Sequence, residues 1–300
     1  MKKVAAVWIV LSLIWGSTWI FIKLGLRDLP PITFAGLRFL VAGLVLLVIV
    51  RCRRVLVPRD PRQLYWLAGT GIISITINYA LVFWGETRIP SGLAAVLQAM
   101  IPVFGLLIAH HLLPTEPLSK RRLLGVLVGF AGVAVIFYDQ TRIDGWAAVQ
   151  GSFALLFSSL CIALGNVLVK SKLQHVDPAV IAACQMNFGF PPLLLAGWLW
   201  EGNPFALRWT MLAALSLLYL ALVGSALAFL LYYWLVARVE VTKTMLISLV
   251  IPVVALLIGA VVAGERLTLS ILAGSVTILI GIGIILRKER VTSMEEMREQ

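Results

Sequence analysis

Residues 83–102, FWGETRIPSGLAAVLQAMIP, and residues 233–252, YWLVARVEVTKTMLISLVIP, decide the fold when laid on each other. A slide of 150 residues matches Trp84 to Trp234, Arg88 to Arg238 and Pro102 to Pro252. An offset of 149 then matches Glu116 to Glu265, Leu118 to Leu267, Gly125 to Gly274 and Gly132 to Gly281. Near the start of each copy an offset of 147 matches Lys23 to Lys170 and Pro31 to Pro178, and sets Ser12 on Ser159 and Trp19 on Asn166. Agreement at about a dozen positions with two small shifts reads as a duplication. The copies span 1–140 and 146–290, with 291–300 as a tail.

The matched runs are apolar, and so is the chain around them. Of 300 residues 61% are hydrophobic and 13% charged, where soluble domains hold about 45–50% and about 25%. The mean hydropathy of +0.99 extends over the whole length, which excludes a secreted enzyme behind a signal peptide, a disordered chain and a nucleic-acid reader. Ten segments suit a bilayer: 4–26, 32–50, 64–85, 91–113, 122–138, 146–169, 178–200, 209–237, 242–263 and 269–286. Each supplies the roughly 20 apolar helical residues that a hydrocarbon core demands, because backbone polar groups there must pair within the segment. Residues 1–26 are too long and too rich in Trp for a cleaved signal.

Five spans per copy is an odd number, so the second copy enters the membrane from the opposite side. The expected fold is therefore all-α and integral to the membrane, with ten transmembrane helices in two inverted five-helix repeats, the architecture of secondary transporters. The net charge of +11 follows the positive-inside rule. Alternate loops carry 18 Lys and Arg on one side and 6 on the other, and Arg38 inside the second span completes the 25. Both termini should face the cytoplasm. Trp66, Trp84, Trp146, Trp198, Trp200, Trp209 and Trp234 fall near span ends, as interfacial indoles do. Cys52, Cys161 and Cys184 have neither metal-ligand nor disulfide spacing.

Polar and aromatic groups deep in the spans carry the functional reading, because in hydrocarbon they need a partner, a bundle interior or a wet cavity. Ser12, Trp15 and Trp19 share a face at i, i+3, i+7, and their mates Ser159 and Asn166 keep that spacing. Asn78 and Tyr79 in the third span, Gln98 in the fourth, its mate Ser248 in the ninth and Tyr232 in the eighth complete the expected solute-binding set, with Gln185, Asn187 and Ser225 weaker members. For any one of these the plain alternative is a helix-to-helix hydrogen bond. Pro102 and Pro252 should kink their helices as a matched pair of hinges. Lys23 and Lys170 either snorkel or attract a solute carboxylate at each mouth. Glu116 and Glu265, just before helix starts, read as dipole-favoured structural groups or as a gating pair. His110 and His111 read as interfacial.

No Asp or Glu lies inside the ten segments, which weighs against proton coupling through a membrane carboxylate. It leaves facilitated diffusion, or coupling through His or the span-end Glu86. There is no phosphate-binding Gly-rich loop, and no metal or cofactor is expected. The expected partners are a small-molecule solute and the lipid bilayer, with no nucleic acid. The small faces Gly125-x3-Gly129 and Ala273-x3-Thr277-x3-Gly281 suit close contact within the monomer or across a homodimer.

The stretch WGSTWIFIKLGLRDLPPITFAGLRFLVAG, Trp15 to Gly43, resembles the opening of EamA-type proteins of the drug/metabolite transporter superfamily. The endings of the copies, IPVFGLLIAHHLLPTEPLSKRRLLGVLVGFAGV and IPVVALLIGAVVAGERLTLSILAGSVTILIGI, are similar to the same family. The resemblance covers nearly the whole chain. It implies a ten-helix inverted-repeat transporter of the inner membrane, with relatives that export amino acids and other small metabolites. It also implies a cavity among the first, third, fourth, sixth, eighth and ninth helices. One departure is PTEPL at 114–118, where the family pattern Gly-Glu-x-Leu survives only in GERL at 264–267, which puts strict symmetry of the gating contacts in doubt.

The expectation is thus a non-enzymatic exporter working by alternating access. Trp15, Trp19 and Tyr79 among neutral amides suit an uncharged or zwitterionic solute with an apolar or aromatic side chain, as in amino-acid exporters of the YddG kind. Sugars, nucleosides and drugs are the alternatives, followed by an intramembrane lipid-modifying enzyme built on His110, His111 and Glu116.

Overall fold

A computed structural model of the chain describes residues 2–112, 119–143, 145–203, 206–236 and 247–286. All described secondary structure is helical. The helices are α1 (Lys2–Gly25), α2 (Pro31–Cys52), α3 (Pro61–Gly71), α4 (Asn78–Glu86), α5 (Ser91–Gln98), α6 (Ile101–Leu112), α7 (Lys120–Ile143), α8 (Gly145–Lys172), α9 (Pro178–Glu201), α10 (Met211–Leu218), α11 (Ala228–Val236), α12 (Ile247–Ala263) and α13 (Leu269–Leu286). Two π-helical stretches, Ile72–Ile77 and Tyr219–Leu227, join α3 to α4 and α10 to α11 without a break. Among the described residues nine helical stretches are long and apolar enough to cross a bilayer, and α12 is a shorter apolar helix. The sequence-based segments agree with these to within a few residues, although 242–246 and the tail 291–300 lie outside the described residues.

Helix starts follow local chemistry. The Asp177 side chain accepts from the Ala179 N–H at 2.8 Å and Pro178 opens α9, while Asp60 and Pro61 do the same for α3. At Pro30 and Pro90, which precede α2 and α5, the capping position has no side chain able to accept. Carboxylates from distant helices take the orphan amides instead. Glu201 accepts from Ile32 N at 2.8 Å and from Thr33 N at 2.7 Å. Glu265 accepts from Ser91 N at 2.7 Å and from Gly92 N at 3.1 Å. The carboxylate of Glu265 therefore serves a helix of the other copy and not α13, which follows it.

The two matched prolines sit differently in their helices. In the fourth span the helix is interrupted at Ala99–Met100, between α5 and α6, as expected where Pro102 has no N–H to give the Gln98 carbonyl. In the ninth span α12 runs without interruption through Pro252.

Small residues allow the helices to close on one another. A Cβ placed on Gly132 would lie 2.6 Å from the Gly274 carbonyl oxygen, and one on Gly281 would lie 2.7 Å from the Gly125 carbonyl oxygen. The small faces of α7 and α13 thus meet each other within one chain. Gly16 brings α1 onto Val254 of α12, and Gly36, Gly43 and Gly197 bring α2 onto α9. Most buried apolar side chains form one cluster through the bundle, and a smaller second one holds Leu11, Ile14, Ala228, Leu235 and Ile247. The two ends of the bundle are called here the Glu86 end and the Lys170 end. Exposed Trp146, Trp198, Trp200 and Trp209 ring the Glu86 end.

Candidate functional site

Three spans bring neutral polar groups together in mid-bundle. The π-helical turn delivers Asn78 to the start of α4, Gln98 ends α5 at the helix break, and α8 supplies Ser158 and Ser159. Ser158 Oγ donates between Asn78 Oδ1 at 2.7 Å and Gln98 Oε1 at 3.0 Å. Gln98 Nε2 donates to Asn78 Oδ1 at 3.3 Å, and Asn78 Nδ2 donates to the Ser74 carbonyl at 3.1 Å. Ser159 Oγ lies 3.2 Å from Gln98 Oε1 and 2.9 Å from the Leu155 carbonyl. The acceptors are used, whereas a second Nε2 hydrogen of half-buried Gln98 has no acceptor in this network. Asn78, Gln98 and Ser159 were expected from sequence, and Ser158 was not.

A second group lies on the neighbouring spans. Arg38 of α2 is 4% exposed, and its Nε donates to Ser225 Oγ at 3.1 Å. Its guanidinium carbon sits 5.1 Å from the Phe39 ring centre and 5.2 Å from that of Tyr79. Tyr79 also packs on Phe39 and Phe83. Arg38 had been counted only as a charge inside a span. The signal that would have singled it out is depth: of the Lys and Arg within the ten segments, Lys23, Arg122 and Lys243 lie within four residues of a segment end, and Arg38 lies seven residues in.

The stripe Ser12, Trp15, Trp19 divides. Ser12 turns back to its own helix at the Trp8 carbonyl, 2.9 Å away. Trp15 packs against Tyr232 at 5.5 Å and Phe229 at 6.3 Å, and Trp19 is buried in the main core. Ser248 is half-buried near the start of α12. Asn166 is exposed; it shares a face with Ser159, on the side of α8 away from exposed Phe153 and Phe157. Asn187 ties α9 to α2 through the Gly43 carbonyl at 3.0 Å.

At the Glu86 end charged groups tie helix ends together. Lys23 does not snorkel: its Nζ donates to the Glu86 carbonyl at 2.6 Å and to the Ile89 carbonyl at 2.8 Å. Glu86 is the last residue of α4, fully buried, and neither carboxylate oxygen has a hydrogen-bond partner. The expectation of no acid inside a span fails here by one residue, because the helix and its burial run past the boundary drawn at 85. Lys23, Glu86 and Glu265 line a cleft of about 250 Å³ together with Leu26, Arg27, Thr87 and Ala263. At the opposite end His110 and His111 are exposed, Lys170 is exposed, and Glu116 lies outside the described residues. Among the described residues no cluster of His, Cys, Asp or Glu could hold a metal ion.

A network of neutral polar groups buried among apolar spans suits a carrier of small solutes, and the comparisons point the same way. The EamA-like transporter family matches the chain twice, over residues 3–138 and 149–287. The chain belongs to this family. The "Probable amino-acid metabolite efflux pump" of Salmonella typhimurium is 32% identical over 92% of each chain. The "Uncharacterized inner membrane transporter YedA" of Escherichia coli K12 is 30% identical over 86% of this chain and 82% of its own. A solved crystal structure shares the fold at a TM-score of 0.67 with 19% identity, over 100% of both chains. The protein is accordingly a multi-pass inner-membrane transporter, embedded in lipid and handling a small solute.

Proposed function

We propose that this EamA-family transporter exports small metabolites by alternating access, with amino acids of apolar or aromatic side chain the favoured solutes. The observation that carries the reading is the Asn78–Gln98–Ser158–Ser159 network, which joins the third, fourth and sixth spans around an unspent amide donor. Tyr79 supplies an aromatic wall beside it, and Trp15 and Tyr232 pack together where the first and eighth spans meet. A relative at 32% identity is named as an amino-acid metabolite efflux pump, which supports the solute class. In this reading the copies are inverted repeats, both termini are cytoplasmic, the Glu86 end faces outward and the Lys170 end opens to the cytoplasm. Pro102, at the helix break, and its mate Pro252, inside α12, are the hinges.

Buried Glu86 favours a second reading of the energetics, because a carboxylate without hydrogen bonds beside Lys23 and Glu265 is a proton-binding group at the seal. The test is counterflow in proteoliposomes loaded with each unlabelled amino acid in turn, with and without a pH gradient. Entry of labelled apolar or aromatic amino acids supports export of that class. Insensitivity to the gradient supports facilitated exchange, and acceleration by the gradient supports coupling through Glu86. Failure of every amino acid with folded protein would move the solute to sugars, nucleosides or drugs.

A further inference from the structure

Arg38 stands about 10 Å along α2 from Pro31, seven residues into the span. A guanidinium at such depth is costly unless paired, and in membrane proteins such a charge is kept for a ligand, an ion pathway or a partner. Among the described residues its hydrogen bonds come to one, from Nε to the neutral Ser225 hydroxyl, with two aromatic faces beside it. Among the described residues no ion pair in contact neutralises it, although buried Glu86 lies within electrostatic reach. The nearest acids do not meet it, since both oxygens of Glu86 are without partners and Glu265 is occupied by Ser91 and Gly92. Nη1 and Nη2, the paired edge that binds a carboxylate in fork geometry, therefore have no protein acceptor. They are also not among the fully buried polar atoms without partners, so this edge touches open space.

The surroundings place that edge at the solute site. Tyr79, beside the guanidinium, adjoins Asn78 of the polar network, and Ser225 lies in the π-helical turn of the eighth span. At the 147-residue offset that pairs Lys23 with Lys170, the mate of Arg38 is Gln185, so only one copy brings a charge to the middle. From this we infer that Arg38 is the anchor for an anionic group of the transported solute, a carboxylate held by Nη1 and Nη2 while the apolar part packs on Tyr79 and Phe39. The inference deepens the amino-acid reading and rests on it for the nature of the solute.

Two arms test it. In the first, proteoliposomes exchange labelled L-phenylalanine against internal L-phenylalanine or L-phenylalaninamide. In the second, the thermal midpoint of purified protein is read with phenylacetate or phenylacetamide at equal ionic strength. Wild type is expected to prefer acid over amide at least tenfold in exchange, and to be stabilised by phenylacetate alone. Arg38→Gln should lose both preferences, and Arg38→Lys should recover part of them. Arg38→Lys carries the test by itself if Arg38→Gln fails to fold. Equal handling of acid and amide by wild type, or an unchanged preference in Arg38→Gln, would overturn the assignment and leave transport intact. If phenylalanine is not carried but phenylacetate still stabilises wild type and not Arg38→Gln, the amino-acid reading falls and the anion site stands. If neither arm responds in folded protein, both fall.

Discussion

Lys23 and Lys170 hold equivalent places in the two copies, as do Trp19 and Asn166, yet the members of each pair meet opposite surroundings. Lys23 is clasped by two backbone carbonyls and Trp19 is buried, whereas Lys170 and Asn166 are exposed. One repeat position thus sits in a sealed end and its mate in an open one. Helix geometry alone does not explain the difference, since α1 and α8 are both long straight-through spans. The sealed end has Glu265 to cap α5 from across the bundle, and Lys23 to hold the turn after α4. At the Glu86 end the helix ends are thus held by a few charged groups meeting backbone.

Removing the cap should have the largest effect. Glu265→Ala leaves the Ser91 and Gly92 amides without their charged acceptor, and is expected to cost about 1–3 kcal/mol in thermal unfolding; Glu265→Gln should recover part of it. A change at the seam between copies comes next. Gly132→Val and Gly281→Val should destabilise by similar amounts, about 1–3 kcal/mol each, because these mates face each other's helix and not opposite ends. Unequal costs would break that part of the comparison. Lys23→Met should cost about 1 kcal/mol, while Lys170→Met should stay within about 0.5 kcal/mol. Gln98→Ala is expected to slow exchange about tenfold or more with less than about 1 kcal/mol lost in stability, read by counterflow alongside the unfolding midpoint.

Span number and limits were legible in the sequence because hydropathy over about 20 residues is a strong signal. The site was legible in part. Asn78, Gln98 and Ser159 stood out as amides and hydroxyls in hydrocarbon, but Ser158 could not be separated from its neighbour without knowing which way α8 is turned. Ser12 had the right spacing and spent its hydroxyl on its own helix, a local bond that spacing does not reveal. Glu86 was named as a span-end carboxylate but drawn one residue outside its span, since span ends are the least certain feature of a hydropathy reading. Arg38 was plain to see but its partners come from the third and eighth spans, more than 40 residues away in sequence. Pro102 follows directly on the break between α5 and α6, whereas Pro252 lies within the continuous α12.

The most direct test is labelling by a membrane-impermeant maleimide from each face, in protein whose Cys52, Cys161 and Cys184 are replaced. Without solute, Asn166→Cys should react from the cytoplasmic face alone, and Ser91→Cys should be protected from both. Adding Lys23→Met should make Ser91→Cys reactive from the outer face. Reaction of Ser91→Cys from outside in otherwise unaltered protein, with Asn166→Cys protected, would contradict an account in which one end is sealed at Glu86 while the other lies open.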